Sequence, residues 1–232
     1  MAGKGKGSQR QQVLGGFDEQ PDVAAAAAPA SSPASAATGE PTSLEGQTVY
    51  LIDSFALIYQ VFFAMPNFSS PSGAPVGAVH GFIRDMADLL EHRQPEYLFC
   101  TFDVSEVTFR HEFYPEYKMN RDPMPDDLRS QIPSIHRMLD AMSIPIVELP
   151  GYEADDIMAT MARQVEELGG ECVLVTSDKD CRQLITDKVK MLNIRKNEFF
   201  TATELQQVWG IRPDQVVDFQ SLVGDSVDNV PG

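Results

Sequence analysis

Three short apolar runs in this sequence each lead to aspartates, and aspartates in that position could bind a metal ion. The runs, with their aspartates, are 48–52 with Asp53, 97–102 with Asp103, and 172–176 with Asp178 and Asp180. Short apolar runs of this length are typical of buried parallel strands. Ligand sites in open α/β sheets form at the carboxyl ends of the strands. We therefore expect these carboxylates to meet at one sheet edge.

Two further acidic groups accompany them. Glu153, Asp155 and Asp156 stand at the start of a predicted helix over 153–168, and Asp225 and Asp228 lie in a loop after a short helix. Each group alone has a purely structural explanation, because helix starts favour acidic residues and turns favour aspartate. The significance of the groups depends on whether they converge.

Convergence of these carboxylates would require a bound cation or proton uptake. Two carboxylates 4 Å apart repel each other by about 4 kcal/mol at an effective dielectric constant near 20. Several such pairs would rival the stability of a whole domain, roughly 5–15 kcal/mol. Oxygen ligands without cysteine or histidine nearby favour Mg²⁺ or Mn²⁺ over zinc. Two such ions can promote hydrolysis of a phosphodiester.

A basic segment over 109–129 could bind the other component of such a reaction, the phosphate backbone. Its cations alternate with aromatic residues, and they comprise Arg110, Lys118, Arg121 and Arg129 beside Phe113, Tyr114 and Tyr117. Cations and aromatic rings together suit phosphates and stacked bases. A solvated junction between a loop and a helix is the alternative explanation.

The remaining pattern predicts an α/β domain with a largely parallel central sheet flanked by helices. Helical spacing marks 55–64, 77–91 and 125–142, and a further short strand is expected at 144–147. Alternation of strands and helices favours a parallel sheet. Residues 1–46 are rich in Ala, Gly, Ser and Pro, and we expect them to form a disordered tail.

The overall composition limits the classes of protein. Hydrophobic residues make up 43% of the 232 residues, and no apolar run is long enough to span a membrane. Neither a secretory signal nor a zinc motif is evident, so we expect a cytoplasmic protein whose three cysteines are reduced core residues. The net charge of −16 opposes nucleic-acid binding unless the acids cluster at cations and the DNA path is locally basic.

Six motifs in order resemble the 5′-nuclease domain of bacterial DNA polymerase I and the related flap endonucleases. They are Leu51-Ile52-Asp53, Phe102-Asp103, Phe109-Arg110 with Tyr117-Lys118 and Arg121, Tyr152-Glu-Ala-Asp-Asp, Thr176-Ser-Asp-Lys-Asp, and Gly224-Asp-Ser-Val-Asp-Asn-Val-Pro-Gly. The resemblance runs from about residue 48 to the end of the sequence.

The resemblance implies a PIN-like 5′-nuclease fold over 47–213, followed at 214–232 by an incomplete helix–hairpin–helix that could hold K⁺. It implies two Mg²⁺ ions, replaceable by Mn²⁺, with ligands through Asp156 mostly serving one ion and those from Asp178 onward the other. The implied ligands are Asp53, Asp103, Glu153, Asp155, Asp156, Asp178, Asp180, Asp225 and Asp228. Lys118 and Arg121 would act on the scissile phosphate, Tyr117 would contact DNA, and Arg110 would either contact DNA or serve in packing.

The implied activity is metal-dependent 5′-3′ exonuclease and 5′-flap endonuclease cleavage of DNA during replication and repair. Its substrates would be 5′ flaps, nicks and the 5′ ends of duplexes, and no membrane or protein partner is expected. One alternative is a DNA-binding remnant or a fragment of DNA polymerase I that does not cut. A phosphotransfer receiver domain also places aspartates at strand ends, but it does not explain the 224–229 motif or Tyr117-Lys118.

Overall fold

The computed structural model describes residues 43–65, 68–105 and 107–232, and a six-stranded sheet is its central element. The strands are β1 (Thr48–Asp53), β2 (Tyr97–Thr101), β3 (Ile146–Val147), β4 (Glu171–Val175), β5 (Val189–Asn193) and β6 (Glu198–Phe200). Their order across the sheet is β3-β2-β1-β4-β5-β6. All neighbours are parallel except β6, which is antiparallel to β5. The predicted largely parallel α/β sheet is confirmed.

Helices cover both faces of the sheet. They are α1 (Ser54–Ala64), α2 (Gly77–Arg93), α3 (Arg110–Phe113), α4 (Asp126–Arg129), α5 (Ile132–Ala141), α6 (Ala154–Glu167), α7 (Ala202–Trp209) and α8 (Val216–Val223). Two 3₁₀ turns lie at Asp180–Leu184 and Pro213–Gln215.

Strand β1 lies in the middle of the core because both of its faces are apolar. Tyr50 and Ile52 pack into a cluster with buried residues of α1, α2 and α5. Val49 and Leu51 face the opposite way, into a second cluster with Met158 and other residues of α6. Successive residues of a strand point to opposite faces, so an unbroken apolar run indicates a strand that is covered on both sides.

The order of the strands creates a crevice at the carboxyl end of β1. From β1 the chain moves outward through β2 to β3, and it then returns to the other side of β1 with β4. The direction of winding therefore reverses between β1 and β4, which is where open α/β sheets bind ligands. Asp53 ends β1 at this position, and Thr176 directly follows β4.

Two predicted elements differ in the structure. The single helix expected over 125–142 is divided into α4 and α5, with Pro133 in the first turn of α5. Proline lacks an N–H and disfavours a helical residue before it, so the break lies just ahead of it. The strand expected at 144–147 pairs only at Ile146 and Val147.

The packed chain includes residues just ahead of the predicted boundary at Gln47. Leu44 is buried in the second cluster, and its N–H donates to the carbonyl of Leu168 at 2.8 Å. The rest of the predicted tail, residues 1–42, lies outside the described residues.

The expectations about membrane spans and about cysteines can be compared with the described residues. Within them, no helix has the length and apolar character needed to cross a membrane. All three cysteines, Cys100, Cys172 and Cys181, are buried and free.

Candidate functional site

Asp53 is anchored at the crevice between β1 and β4. Its Oδ1 accepts from the N–H of Ala56, which caps α1, and its Oδ2 accepts from the Thr176 hydroxyl at 2.8 Å. The side chain is held by both strands that form the crevice. Burial raises its pKa to about 6, and the nearby charges of Asp103 and Asp178 add to the rise.

The start of α6 is fixed against the end of β2. Asp103 accepts from the N–H of Ala154 at 2.7 Å. Glu153 caps the helix in a reciprocal arrangement with Asp156, whose Oδ2 accepts from the N–H of Glu153 at 3.0 Å. These contacts use helix N–H groups that have no partner within the helix, and they aim the first turn of α6 at the crevice.

A cavity of about 1100 Å³ opens where these elements meet. Five of the nine predicted ligand residues line it, namely Asp53, Asp103, Glu153, Asp155 and Asp178. Tyr117, Lys118 and Arg121 line the same cavity. Arg129 lines it as well, so the chain brings carboxylates from both halves of the sequence together with three cations.

Asp155 is the least satisfied of the cavity carboxylates. Its Oδ1 is buried and has no hydrogen-bond partner. Burial raises its pKa to about 7, and the charges of Asp156 and Glu153 act in the same direction. Burial likewise raises the pKa of Asp103. A buried carboxylate oxygen without a donor is costly, so this oxygen is suited to a cation or a proton.

A second acidic group lies beside the cavity. Asp180, Asp225 and Asp228 each offer an oxygen atom, and these atoms lie within 4.8 Å of one another. Gly224 has a φ of +71°, which starts the turn that brings the loop back toward Asp180. Gln220 of α8 donates to Asp180, and Lys179 approaches Asp225 at 3.1 Å. We call Asp180, Asp225 and Asp228 the acidic cluster.

The cations predicted to bind phosphate are paired with these acids. Lys118 Nζ donates to Glu153 at 2.7 Å, and Arg121 donates to Asp228. Arg110 binds both oxygens of Asp156, at 2.7 and 2.8 Å. Ion pairing reduces the repulsion that the converging carboxylates would otherwise generate.

Two predicted site residues have positions that the sequence did not indicate. Tyr117 is only 8% exposed, and its hydroxyl lies 3.0 Å from both Glu153 Oε2 and Asp228 Oδ2. Asp156 does not line the cavity, and both of its oxygens are occupied by Arg110. Its position outside the cavity lining distinguishes Asp156 from the five carboxylates above.

The segment 114–121 is attached to the loop 226–229. The hydroxyl of Tyr114 donates to the carbonyl of Asn229 at 2.7 Å, and the N–H of Lys118 donates to the carbonyl of Asp228 at 3.0 Å. Asn120 donates to the carbonyl of Ser226 at 2.7 Å. These contacts place Tyr117, Lys118 and Arg121 between the cavity and the acidic cluster.

Three supporting residues were not predicted as site residues. Thr176 and Lys179 belong to the Thr176-Ser-Asp-Lys-Asp motif, and only the aspartates of that motif had been selected. Gln220 donates to Asp180 from α8, forty residues along the chain. No local pattern marks such a contact, because it depends on where α8 packs.

The family model described as "5′-3′ exonuclease, N-terminal resolvase-like domain" matches residues 48–210. Similar proteins include a 5′-3′ exonuclease of Aquifex aeolicus, which is 39% identical over 186 residues, or 80% of this chain and 64% of that protein. DNA polymerase I of Bacillus subtilis is 39% identical over 192 residues, or 81% of this chain and 22% of that protein. The chain therefore spans less than two thirds of these relatives.

A solved structure with a similar fold is the phage T5 D15 protein co-crystallised with metal ions. Its TM-score is 0.66 at 19% identity, covering 80% of this chain and 70% of that one. The T5 D15 flap endonuclease in a complex with DNA and metal ions has a TM-score of 0.65 at 21% identity, with the same coverage of each chain. At these identities the comparison establishes the fold.

Proposed function

We propose that this chain, which belongs to the 5′-3′ exonuclease family, hydrolyses DNA phosphodiesters as a divalent-metal-dependent 5′-3′ exonuclease and 5′-flap endonuclease. One observation carries the proposal. Five carboxylates from distant parts of the chain line a single cavity together with Lys118 and Arg121. Such a reaction needs carboxylates that bind metal ions and basic side chains that bind phosphate.

The residues present fit divalent cations. The donors are carboxylate oxygens, which suit Mg²⁺ and allow Mn²⁺ to replace it. The unpartnered Oδ1 of Asp155 and the close approach of three oxygens in the acidic cluster support two ions rather than one. When bound, two such ions activate water and stabilise the leaving oxygen of a phosphodiester.

The geometry suggests how the ligands are divided. Asp53, Asp103, Glu153 and Asp155 would hold one ion in the cavity, and the acidic cluster would hold the other. Asp178 lines the cavity and also accepts from the N–H of Asp180 at 2.9 Å, so it lies between the two groups. We assign Asp156 the supporting role of holding Arg110 and the start of α6.

Lys118 and Arg121 would act on the substrate. Both line the cavity, and both are paired with carboxylates that the proposed ions need. Once those carboxylates are directed at cations, the ammonium and guanidinium groups can turn to the scissile phosphate. There they would orient it and offset the charge that develops in the transition state.

The substrates we propose are 5′ flaps, nicks and 5′ ends of duplex DNA, cut to leave a 5′-phosphate. A relative named above is a 5′-3′ exonuclease and a protein of similar fold is a flap endonuclease, and both support this choice. Binding of K⁺ by the helix–hairpin–helix that begins near residue 214 is a further proposal. Because Lys118 and Arg121 would contact phosphates, binding to DNA should weaken as salt is raised.

The test is cleavage of a 5′-labelled flap duplex at low salt. We expect cleavage near the flap junction with Mg²⁺, none with EDTA, and none for the Asp178→Ala/Asp180→Ala chain. Asp140→Ala/Asp187→Ala is the matched control, because it also removes two carboxylates, both exposed and outside the cavity. A folded, metal-loaded chain that binds the duplex but never cuts it would instead support a non-catalytic DNA-binding protein.

A further inference from the structure

The hydroxyl of Tyr117 connects the cavity to the acidic cluster. It lies 3.0 Å from Oε2 of Glu153, which lines the cavity, and 3.0 Å from Oδ2 of Asp228, which belongs to the cluster. The ring is buried and packs edge-on against His111 at 5.5 Å between ring centroids. A buried, packed ring gives the hydroxyl a fixed position between the two acids.

A phenol has one proton, so it can donate to only one of these carboxylates at a time. The two acids differ in their other partners. Lys118 donates to the same oxygen of Glu153 that faces the phenol, whereas Arg121 contacts the other oxygen of Asp228. The two carboxylates therefore compete for one hydrogen bond, and a change at either of them alters how often the other accepts it.

We propose that Tyr117 is a positioning residue that couples cation binding at the acidic cluster to cation binding in the cavity. This inference depends on the proposed function. When Asp228 turns its oxygens to a cation, the hydroxyl donates fully to Glu153. The carboxylate of Glu153 then has a fixed orientation toward the cavity, and the cavity binds its own cation more tightly.

Tyr114 offers a matched control in the same segment. Its hydroxyl also donates to the loop 226–229, but the acceptor is the backbone carbonyl of Asn229, at 2.7 Å. Tyr114→Phe and Tyr117→Phe each remove one hydroxyl from the same contact region. Only Tyr117→Phe removes a link between carboxylates.

Cation binding at the acidic cluster, the cluster step, and cation binding in the cavity, the cavity step, can be separated by their signals. Trp209, the single tryptophan, lies 4.9 Å from Phe219 of α8 between ring centroids, and the next residue, Gln220, donates to Asp180. Tryptophan fluorescence should therefore follow the acidic cluster. Calorimetric titration with Mn²⁺ measures both steps.

For Tyr117→Phe we expect the cavity step to weaken about tenfold, the size of one hydrogen bond to a charged group, with the cluster step unchanged. Tyr114→Phe should leave both steps unchanged. A purely structural role would lower the melting temperature without altering the ratio of the two affinities. Unaltered affinities in a folded Tyr117→Phe chain would overturn the proposal.

A second variant tests the coupling with Tyr117 intact. Asp180→Asn/Asp225→Asn leaves the acidic cluster with one carboxylate, so it should no longer bind a cation. Its charge is then −1, which equals the charge of the intact cluster with one divalent ion bound, so the cavity experiences the same net charge in both cases. The cavity step should again be about tenfold weaker than in the wild type, whereas an equal or tighter step overturns the coupling. A wild-type chain that binds no Mn²⁺ would overturn the proposed function itself.

Discussion

The guanidinium of Arg110 holds the carboxylate of Asp156 through two hydrogen bonds of 2.7 and 2.8 Å. The same arginine lies 3.8 Å from Glu153. This pair joins the short helix α3 to the start of α6, where Glu153 and Asp155 enter the cavity. Bidentate pairs of this kind fix geometry as well as charge.

Replacement of Arg110 by Gln should destabilise the chain by about 2 kcal/mol, because Asp156 would keep its partly buried charge without the paired donors. Urea unfolding at pH 7 measures the change. Arg163→Gln is the control, since Arg163 is 81% exposed and its pair with Glu167 contributes roughly 0–1 kcal/mol. Equal losses in the two variants would contradict a special role for the Arg110–Asp156 pair.

The difference in stability between the wild type and Arg110→Gln should depend on pH. Burial acts to raise the pKa of Asp156, but the hydrogen bonds from Arg110 and from the Glu153 N–H prevail and lower it below its usual 3.8. A group with a lowered pKa stabilises the fold above its unfolded pKa, and that contribution is lost as the pH falls through the folded value. The stability difference between wild type and Arg110→Gln should therefore be full at pH 6 and shrink toward pH 3.

Stability without metal should fall as the pH rises from 5 to 7. The pKa values of Asp53, about 6, and Asp155, about 7, are raised by burial, so the folded chain binds protons there that the unfolded chain has released. If folding increases a carboxyl's affinity for its proton tenfold, ionisation of that carboxyl costs the folded chain about 1.4 kcal/mol of stability. Thermal unfolding in EDTA should show this decline, and Asp155→Asn should reduce it.

Mg²⁺ should reverse the decline. Because the ligands must lose their protons, Mg²⁺ should raise the melting temperature more at pH 8 than at pH 5. An equal rise at both pH values would contradict the placement of a cation beside Asp53 and Asp155.

Divalent cations should make the segment 114–121 easier to cleave. Lys118 and Arg121 are held by Glu153 and Asp228, and cation binding at those carboxylates would release both side chains. We expect trypsin to cut after Lys118 and Arg121 several-fold faster with Mg²⁺, as read by mass spectrometry. Cleavage after Lys196, exposed in the turn between β5 and β6, should not change. Slower cleavage after Lys118 and Arg121 with Mg²⁺ would contradict the release of these two side chains.

Leu44 should contribute to stability although it precedes the predicted domain boundary. It is 8% exposed and packs against the cluster beside α6. Leu44→Ala should cost about 2–3 kcal/mol in urea unfolding. Leu222→Ala is the control, because Leu222 is 80% exposed and its truncation should change stability by less than about 0.5 kcal/mol.

The fold could be predicted where hydrophobic pattern alone determines the element. The unbroken apolar runs that form β1, β2 and β4 indicate strands covered on both faces, and the spacing in α2 and α6 indicates one buried face. The break between α4 and α5 was missed because helical periodicity continues across it. Leu44 was missed because a single apolar residue in a polar stretch produces no periodic signal.

The site could be predicted only as far as strand ends determine it. The strand pattern indicated that Asp53, at the end of β1, and Asp103 and Asp178, shortly after β2 and β4, share one sheet edge, and all three line the cavity. The pairing of Arg110 with Asp156, and the position of Tyr117 between Glu153 and Asp228, depend on contacts between residues 36 to 111 positions apart. Neither composition nor spacing encodes which cation faces which acid.

The most direct test of the central claim, that these carboxylates form divalent cation sites, is a crystal soaked in Mn²⁺ and measured at the manganese absorption edge. We expect two anomalous peaks, one among the cavity carboxylates near Asp155 and one within the acidic cluster, with Lys118 and Arg121 moved away from Glu153 and Asp228. A map without peaks at these positions, in which both ion pairs remain as they are here, would contradict the claim.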